Sequence, residues 1–299
     1  MTGTHIHIYP ISVLILTKNE ARDLPGCLQS VEWSSDIHVF DSFSTDETTE
    51  IARCSGARVT QRAFDGYAAQ RNAALHGLDY KYSWLLILDA DERVPISSAE
   101  VMARFVVDAP GEINACRMRR RDFFLGTWLA HAQISPYYIR LVRPTKVHYE
   151  REINEVLKVD GTVRDLDAPF DHYPFSKGIG HWLDKHNLYS SMEAQHILRT
   201  RRENVPFSPR AAFLSKDFNL RRFHQKEIFY RLPARPLLKW LYMVLARRAF
   251  LDGQAGLAYA YLQAFYEYMI VIKTRELEHE TRDGDTQPSG SFPEALPHR

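Results

Sequence analysis

Short apolar runs alternate with helical segments in the first third of the chain. The longest runs have the length and the Val, Ile and Leu content of a buried parallel strand, and the third run is a shorter strand. The runs are 11–17, 37–40, 57–60 and 83–88. The segments between them predict three helices. The first ends near Trp33, the second spans 46–54 with Ser44 or Thr45 as its cap, and the third spans 66–78. Strands that alternate with helices at this spacing predict a parallel α/β sheet.

The pattern changes after Glu92. A helix is predicted over 96–107, and strand-like alternation follows at 115–120, 137–143 and 155–163. These strands predict an antiparallel continuation of the sheet. From Ile179 onward helices dominate, interrupted by prolines. The pattern therefore divides the chain into an α/β segment, a helical extension and a polar tail expected to be disordered. Their bounds are 1–175, 176–278 and 279–299.

Acidic residues follow the fourth apolar run directly. Asp89, Asp91 and Glu92 lie within four residues of one another. Ligands of open α/β sheets bind at the carboxyl ends of the strands, so Asp89 and Asp91 are expected at the mouth of a cleft. Close carboxylates repel unless a cation lies between them, and a hard divalent ion that also binds phosphate oxygens suits this place. The alternative is that the acids cap the next helix in solvent.

Charge and cysteine content narrow the function classes. The chain has 38 Lys and Arg, 37 Asp and Glu and a net charge of +1, so it is not a general polyanion binder. The segment 199–248 is an exception, with thirteen basic and three acidic residues among many aromatic and leucine residues. This composition predicts contact with an anionic membrane surface. Packing on the α/β segment is the alternative, and no nucleic-acid-binding motif is present.

Other sequence signals concern location. The three cysteines, Cys27, Cys54 and Cys116, form no metal-binding or disulfide spacing, which favours a reducing compartment. No signal peptide is expected from the amino-terminal residues. No window approaches the roughly twenty apolar residues of a membrane span. Neither a dinucleotide-binding nor a P-loop glycine motif follows the first strand.

Four ordered motifs resemble the family 2 glycosyltransferases. They are Val13–Glu20, Asp41–Thr48, Gln70–Asn72 and Asp89–Glu92. Within that family the chain is similar to the lipopolysaccharide-core β-glucosyltransferase group, which includes many capsule and exopolysaccharide transferases. Further matches are Arg121–Gly126, Arg140–Arg143, Glu152–Glu155 and Asp171–Tyr173. The resemblance covers about residues 10–275.

This resemblance implies a GT-A fold, a Rossmann-like and mostly parallel sheet with an antiparallel continuation and a carboxyl-terminal helical extension. Residues 10–95 would bind the nucleotide sugar and 96–175 the acceptor. A divalent metal, Mg²⁺ or Mn²⁺, is implied as cofactor, with Asp91 and His172 as its ligands. The resemblance also implies residues that contact the donor. Thr17, Asn19 and Glu20 would border the nucleobase and the ribose, and Asp41 would bind the uridine. Arg71 would face the donor pocket, and Asp89 would contact the ribose or support the metal site.

Two positions depart from the family pattern. Phe43 replaces a glycine that the family usually has, which questions the backbone geometry of that loop. Asn154 replaces a histidine that relatives usually have there.

The catalytic base accepts the proton of the acceptor hydroxyl. We favour Glu155 for this role and place Glu152 second. The alternative is that both are surface charges that pair with Arg151 and Lys158.

The expected activity is inverting transfer of a hexose from a nucleotide sugar, with a UDP-sugar favoured. The expected acceptor is a hydroxyl of a bacterial surface glycan precursor, as a free or lipid-linked glycan for lipopolysaccharide core, capsule or exopolysaccharide. The expected location is the cytoplasmic face of the inner membrane, peripherally bound. Two alternatives stay open: a degenerate transferase that binds nucleotide or glycan without turnover, and a nucleotidyltransferase. The absence of glycine from Thr17–Glu20 counts against the second.

Overall fold

A computed structural model describes residues 7–150, 156–203 and 206–282. The chain forms two units, Met1–Gly178 and Ile179–Arg299, here called unit 1 and unit 2. The division falls three residues after the one expected from the sequence pattern.

Unit 1 combines eleven described strands and four α-helices. The strands are β1 (Ser12–Thr17), β2 (Ile37–Asp41), β3 (Arg58–Gln61), β4 (Leu85–Asp89), β5 (Glu92–Arg93), β6 (Ile113–Phe124), β7 (Thr127–Trp128), β8 (Tyr137–Val142), β9 (Val147–Glu150), β10 (Val156–Val159) and β11 (Thr162–His172). The helices are α1 (Leu24–Ser30), α2 (Thr48–Cys54), α3 (Tyr67–Gly77) and α4 (Ile96–Val107). A 3₁₀ turn spans Pro144–Lys146.

The central sheet has the strand order β3-β2-β1-β4-β8-β6-β11-β5, with β7 paired to β6. The first four strands are parallel, and β8 pairs antiparallel with both β4 and β6. Strand β11 is parallel to β6, and β9 and β10 form a separate hairpin. The fold-class prediction, a mostly parallel α/β sheet with an antiparallel continuation, is therefore confirmed.

Apolar residues on both faces of the parallel strands form two buried clusters. On β1, Val13 and Ile15 pack on one face with Leu24 of α1, while Leu14 packs on the other face with Leu75 of α3. A strand covered on both faces needs apolar residues at every position. The need to cover both faces explains the continuous apolar runs. The packing on both faces also holds the ends of β1, β2 and β4 at one edge of the sheet.

Two local predictions were wrong. Helix α1 ends at Ser30 rather than near Trp33, because Val31 leaves the helical conformation (φ −121°, ψ 14°). Helix α2 begins at Thr48 without a side-chain cap. Ser44 donates its hydroxyl to Asp41 instead, since the end of β2 brings that carboxylate close.

Unit 2 is helical in its described part. Its helices are α5 (Gly178–Arg202), α6 (Pro209–Leu214), α7 (Phe218–Arg231), α8 (Arg235–Leu241) and α9 (Gly253–Arg282), with a π-helical turn at Tyr242–Ala246 and a 3₁₀ turn at Ala249–Asp252. Helix α5 begins at Gly178, the last residue of unit 1.

Helix α9 corrects the predicted start of the tail at His279. The helix continues to Arg282, because Glu and Arg favour helices. Residues 283–299 lie outside the described residues. Among the described helices, none is both long and apolar enough to cross a bilayer.

Candidate active site

Asp41 organises the loop that follows β2. Its side chain is completely buried and accepts hydrogen bonds from Thr17 Oγ1 (2.9 Å) and Gln61 Nε2 (3.0 Å). The backbone N–H of Ser44 (2.8 Å) and the Ser44 hydroxyl also donate to it. Four donors engage both carboxylate oxygens, so Asp41 joins β1, β3 and its own loop.

The loops after β1 and β2 are tied together by Lys18 and Asn19. The Lys18 ammonium donates to the carbonyl oxygens of Ser42 (2.8 Å) and Phe43 (2.6 Å), and Asn19 Oδ1 accepts from the Thr45 backbone N–H (2.8 Å). Phe43 has φ 56°, the left-handed backbone that glycine adopts without strain. The loop therefore keeps the conformation expected for a family glycine although phenylalanine occupies the position.

Glu20 lies at the same edge of the sheet and is buried. Its carboxylate pairs with the Lys177 ammonium at 3.0 Å, and its backbone N–H donates to Thr48 Oγ1 (2.8 Å). The structure therefore brings Thr17, Asn19, Glu20 and Asp41 to one edge. Of the four, Asn19 alone lies in a mainly exposed position.

Asp89 ends β4 between two arginines. Arg140 Nη2 lies 3.1 Å from Asp89 Oδ2, and Arg71 Nη2 lies 3.3 Å from Oδ1. Burial alone would raise the pKa of Asp89, but Arg140 and Arg71 outweigh it and hold the pKa at about 2. Arg140 also donates to the buried carboxylate of Glu92. Asp89 is therefore a carboxylate whose charge the protein already balances.

Asp91 faces His172 at the end of β11. His172 Nε2 lies 3.4 Å from Asp91 Oδ2, and His172 Nδ1 bonds to Asp122 Oδ1 at 2.5 Å. Asp122 is buried and also contacts Arg120 Nε (3.0 Å) and Gln133 Nε2 (3.1 Å). Burial alone would lower the pKa of His172, but hydrogen bonds with Asp122 and Asp91 outweigh it and raise the pKa to about 9.

The pair of Asp91 and His172 fits a divalent cation. Two ligand atoms at about 2.1 Å from one ion in neighbouring positions are about 3 Å apart, close to the 3.4 Å between Asp91 Oδ2 and His172 Nε2. A metal-binding histidine commonly gives its other nitrogen to a carboxylate, as His172 gives Nδ1 to Asp122. Within the described residues no group of three or more Asp, Glu, His or Cys side chains is arranged to hold a metal. The described residues therefore leave ligand positions that oxygen atoms of a bound molecule could occupy.

Asn72 and Arg71 both contact Tyr149 of β9. The Asn72 amide bonds to both the backbone N–H (2.7 Å) and the carbonyl (2.8 Å) of Tyr149, and the Arg71 guanidinium lies 5.4 Å from the centre of the Tyr149 ring. Residues 151–155 follow directly, between the paired positions Glu150 and Val156. Glu152 and Glu155, the predicted bases, lie outside the described residues.

Sequence reasoning missed three residues of the site, namely Arg140, Asp122 and Lys177. Arg140 and Asp122 lie in segments that resemble the family, Arg140–Arg143 and Arg121–Gly126, and this was the available signal. Their partners are 48 to 51 residues away in the chain, and strand pairing brings them together. Lys177 carried no such signal.

Comparison with known proteins identifies the domain. Residues 12–159 match the model of Glycosyl transferase family 2. The chain is 26% identical over 217 residues to the lipopolysaccharide core biosynthesis glycosyltransferase LpsC of Rhizobium meliloti, covering 69% of this chain and 79% of LpsC. It is 25% identical over 288 residues to an uncharacterized glycosyltransferase of Rickettsia typhi, covering 91% of this chain and 89% of the relative.

A solved structure also resembles it in part: glucosyl-3-phosphoglycerate synthase of Mycobacterium tuberculosis with Mn²⁺ and UDP-glucose. The match has a TM-score of 0.32 and 20% identity, and covers 38% of this chain and 44% of that one. Residues 12–159 are therefore a glycosyltransferase family 2 domain, and the protein is a glycosyltransferase.

Proposed function

We propose that the protein transfers a hexose from a UDP-sugar, with inversion, to a hydroxyl of a bacterial surface glycan precursor. The observation that carries the proposal is the Asp91–His172 pair, which joins the residues after β4 to the end of β11. Strand β4 lies beside β1 and parallel to it, so Asp91 is at the same edge of the sheet as the loops after β1 and β2. A nucleotide diphosphate that reached from these loops to Asp91 would supply the oxygen ligands that a cation still needs there. The name of LpsC, a lipopolysaccharide core transferase, supports the acceptor class.

The residues of the chain have separate tasks in this proposal. Asp91 and His172 would hold Mg²⁺ or Mn²⁺, which supplies Lewis-acid stabilisation of the leaving diphosphate. Thr17, Asn19, Glu20 and Asp41 shape the nucleoside end, and Arg71 with Asp89 borders the sugar. Glu155 takes the proton of the acceptor hydroxyl, with Glu152 as the second candidate. A single base and no enzyme nucleophile give inversion of the anomeric carbon.

Calorimetric binding of UDP, with and without Mn²⁺, tests the donor site. We expect binding that depends on Mn²⁺ in the wild type and is lost in Asp91→Ala and His172→Ala. Asp165→Ala is the matched control, because Asp165 is an exposed carboxylate paired with Arg117 on β6. Equal, metal-independent binding in all four proteins would refute the assignment of Asp91 and His172.

Transfer assays separate the two candidate bases and the non-catalytic alternative. Glu155→Gln is expected to bind UDP normally and to lose transfer, while Glu152→Gln keeps it. The reverse result would make Glu152 the base. If the wild type binds UDP-sugar and metal but transfers to no glycan acceptor and hydrolyses no donor, the degenerate, binding-only alternative is favoured.

We also propose that unit 2 contacts an anionic membrane surface through residues 228–251. This segment has five Lys or Arg and no Asp or Glu. Several of its large apolar side chains are at least half exposed, namely Leu237, Tyr242, Leu245, Phe250 and Leu251. Exposed apolar and aromatic residues among cations suit the interface of an anionic bilayer, where a lipid-linked acceptor would be found.

Vesicle flotation tests the membrane proposal. We expect binding to vesicles containing phosphatidylglycerol, weaker binding in high salt, and none to pure phosphatidylcholine. Leu245→Glu with Leu251→Glu should abolish it, whereas Leu214→Glu, an exposed leucine of α6 outside the segment, should not. Equal flotation of both variants would refute the role of residues 228–251.

A further inference from the structure

Residues 173–178 connect the metal side of the site to its nucleotide side; we call them the connecting segment. At its start, the Tyr173 backbone N–H donates to the Asp91 carbonyl oxygen (2.9 Å). Near its end, the Ser176 hydroxyl donates to Asp23 Oδ2 (2.7 Å), just before α1. The connecting segment therefore runs from the predicted metal ligand to the loop that follows β1.

Lys177 places a cation at the nucleotide end of this segment. Its Nζ lies 3.0 Å from Glu20 Oε1 and 3.3 Å from the Asn19 carbonyl oxygen. Its side chain is about four-fifths buried, at 21% exposure. An ammonium has three N–H donors, and these two contacts engage two of them.

The segment has anchoring contacts besides those of Lys177. Ser176 already bonds to Asp23, and the Phe175 ring lies 4.2 Å from the Phe124 ring, centre to centre. Arg93 holds the other side of the same loop by donating to the Asp23 carbonyl (2.8 Å). Burying an ammonium costs free energy, and burial lowers the pKa of Lys177. A cation placed here at that cost calls for a function besides anchoring.

The charge of the surrounding groups indicates that function. Asp23, Asp46 and Asp91 all act electrostatically on Lys177, and Glu20 pairs with it directly. A diphosphate that extended from the residues after β1 to Asp91 would enter this group of carboxylates. One divalent ion at Asp91 and His172 would offset the two negative charges of the diphosphate, but not the charges of the nearby carboxylates. A protein cation beside these carboxylates would reduce their repulsion of the phosphate oxygens.

We propose that Lys177 binds the diphosphate of the nucleotide-sugar donor by donating its remaining N–H to a phosphate oxygen. This inference rests on the proposed function and adds a donor-binding residue to it. Lysine suits the task because its ammonium is a compact charge on a flexible stem, able to keep Glu20 while it reaches a phosphate.

Ligands of decreasing charge test the proposal. The affinities of UDP, UMP and uridine are measured by ligand-observed NMR for the wild type, Lys177→Met and Lys177→Arg, with and without Mn²⁺. We expect Lys177→Met to weaken UDP binding by roughly 10- to 100-fold, as for a lost charge-assisted contact, and to leave uridine binding within about twofold. Lys177→Arg should keep most of the UDP affinity. Lys146→Met is the matched control, because Lys146 forms an exposed pair with Asp160.

The outcomes separate this inference from the proposed function. If Lys177→Met weakens uridine and UDP equally, Lys177 only shapes the loop and the inference is wrong. If UDP binding is unchanged in Lys177→Met, the inference is also wrong while the donor site stands. If the wild type binds neither UDP nor another nucleoside diphosphate, the proposed function itself fails.

Discussion

Replacing Arg140 by methionine should destabilise unit 1 strongly. Arg140 is buried on β8, with Nη2 at 3.1 Å from Asp89 and a direct contact to Glu92, which is also buried. Methionine fills much of the volume but leaves two carboxylates without their shared cation. Removing one partner of a buried ion pair costs about 3–5 kcal/mol, so we expect a loss of this size in the free energy of opening the sheet.

Native-state hydrogen exchange of peptides from β1 and β4 measures this loss in unit 1 alone. At pH 7.5 we expect protection to fall by roughly 10²- to 10⁴-fold, which corresponds to the same 3–5 kcal/mol. Arg117→Met is the matched control. Arg117 lies on β6 and pairs with Asp165 at 2.7 Å, but both side chains are about half exposed, so the expected cost is roughly 0–1 kcal/mol.

The deficit of Arg140→Met should shrink as the pH falls. In the wild type the pKa of Asp89 is held at about 2, below its ordinary 3.8, so this carboxylate stabilises the fold above pH 3.8 and loses that effect toward pH 2. Burial already raises the pKa of Glu92 to about 7 in the wild type, although Arg140 opposes this. Without Arg140 the pKa of Glu92 rises further and that of Asp89 rises above its ordinary value, so protonation relieves the unpaired charge. A deficit below 1 kcal/mol at pH 7.5, or one that grows between pH 7.5 and 5.5, would refute the reasoning.

Three further predictions concern the site and the helical unit. Asp122→Asn should weaken Mn²⁺ binding in the presence of UDP by roughly 10- to 100-fold, measured by calorimetry, because His172 loses the carboxylate that orients it. The pKa of His172 is raised from 6.5 to about 9, so its protonated form should stabilise the fold fully below pH 6.5 and lose this effect as the pH rises through 9. The free energy of unfolding in urea should fall over this pH range in the wild type but not in His172→Gln. Gly256→Ala should lower the thermal stability of unit 2, because the new Cβ would lie 2.0 Å from the Ala249 carbonyl oxygen. Gly180→Ala, where no atom lies within 4 Å, should raise it.

The sequence predicted the parallel half of unit 1 closely. Strands β1, β2 and β4 and helix α4 lie within about two residues of their predicted bounds, because buried strands and an amphipathic helix have strong local patterns. The extent of β11, which continues to His172, was not predicted. Leu166, Ala168 and Phe170 alternate with polar positions and form a buried apolar face, so a strand signal was present there, and pairing with β6 defines the full length of the strand.

The candidate site was also predicted only in part from the sequence. The places of Asp89 and Asp91 follow from local sequence, since acids that end a parallel strand lie at the ligand-binding edge. The side chains that pair with these acids do not follow from local sequence. His172 lies opposite Asp122 and Glu92 only because β11 pairs with β6 on one side and β5 on the other. Such pairings depend on register over tens of residues, which a single sequence does not specify.

The two acids at the end of β4 have different surroundings, and this difference bears on their tasks. Asp89 is balanced by Arg71 and Arg140, so a cation that approached it would compete with two guanidinium groups already in place. Asp91 instead faces an imidazole, which can release its proton and bind a metal through the freed nitrogen. Electrostatics therefore favours Asp91 as the metal ligand and Asp89 as a hydrogen-bond acceptor for an uncharged group such as a ribose or sugar hydroxyl. The spacing along the sequence does not distinguish these two carboxylates, whereas the side chains that surround each of them in the fold do.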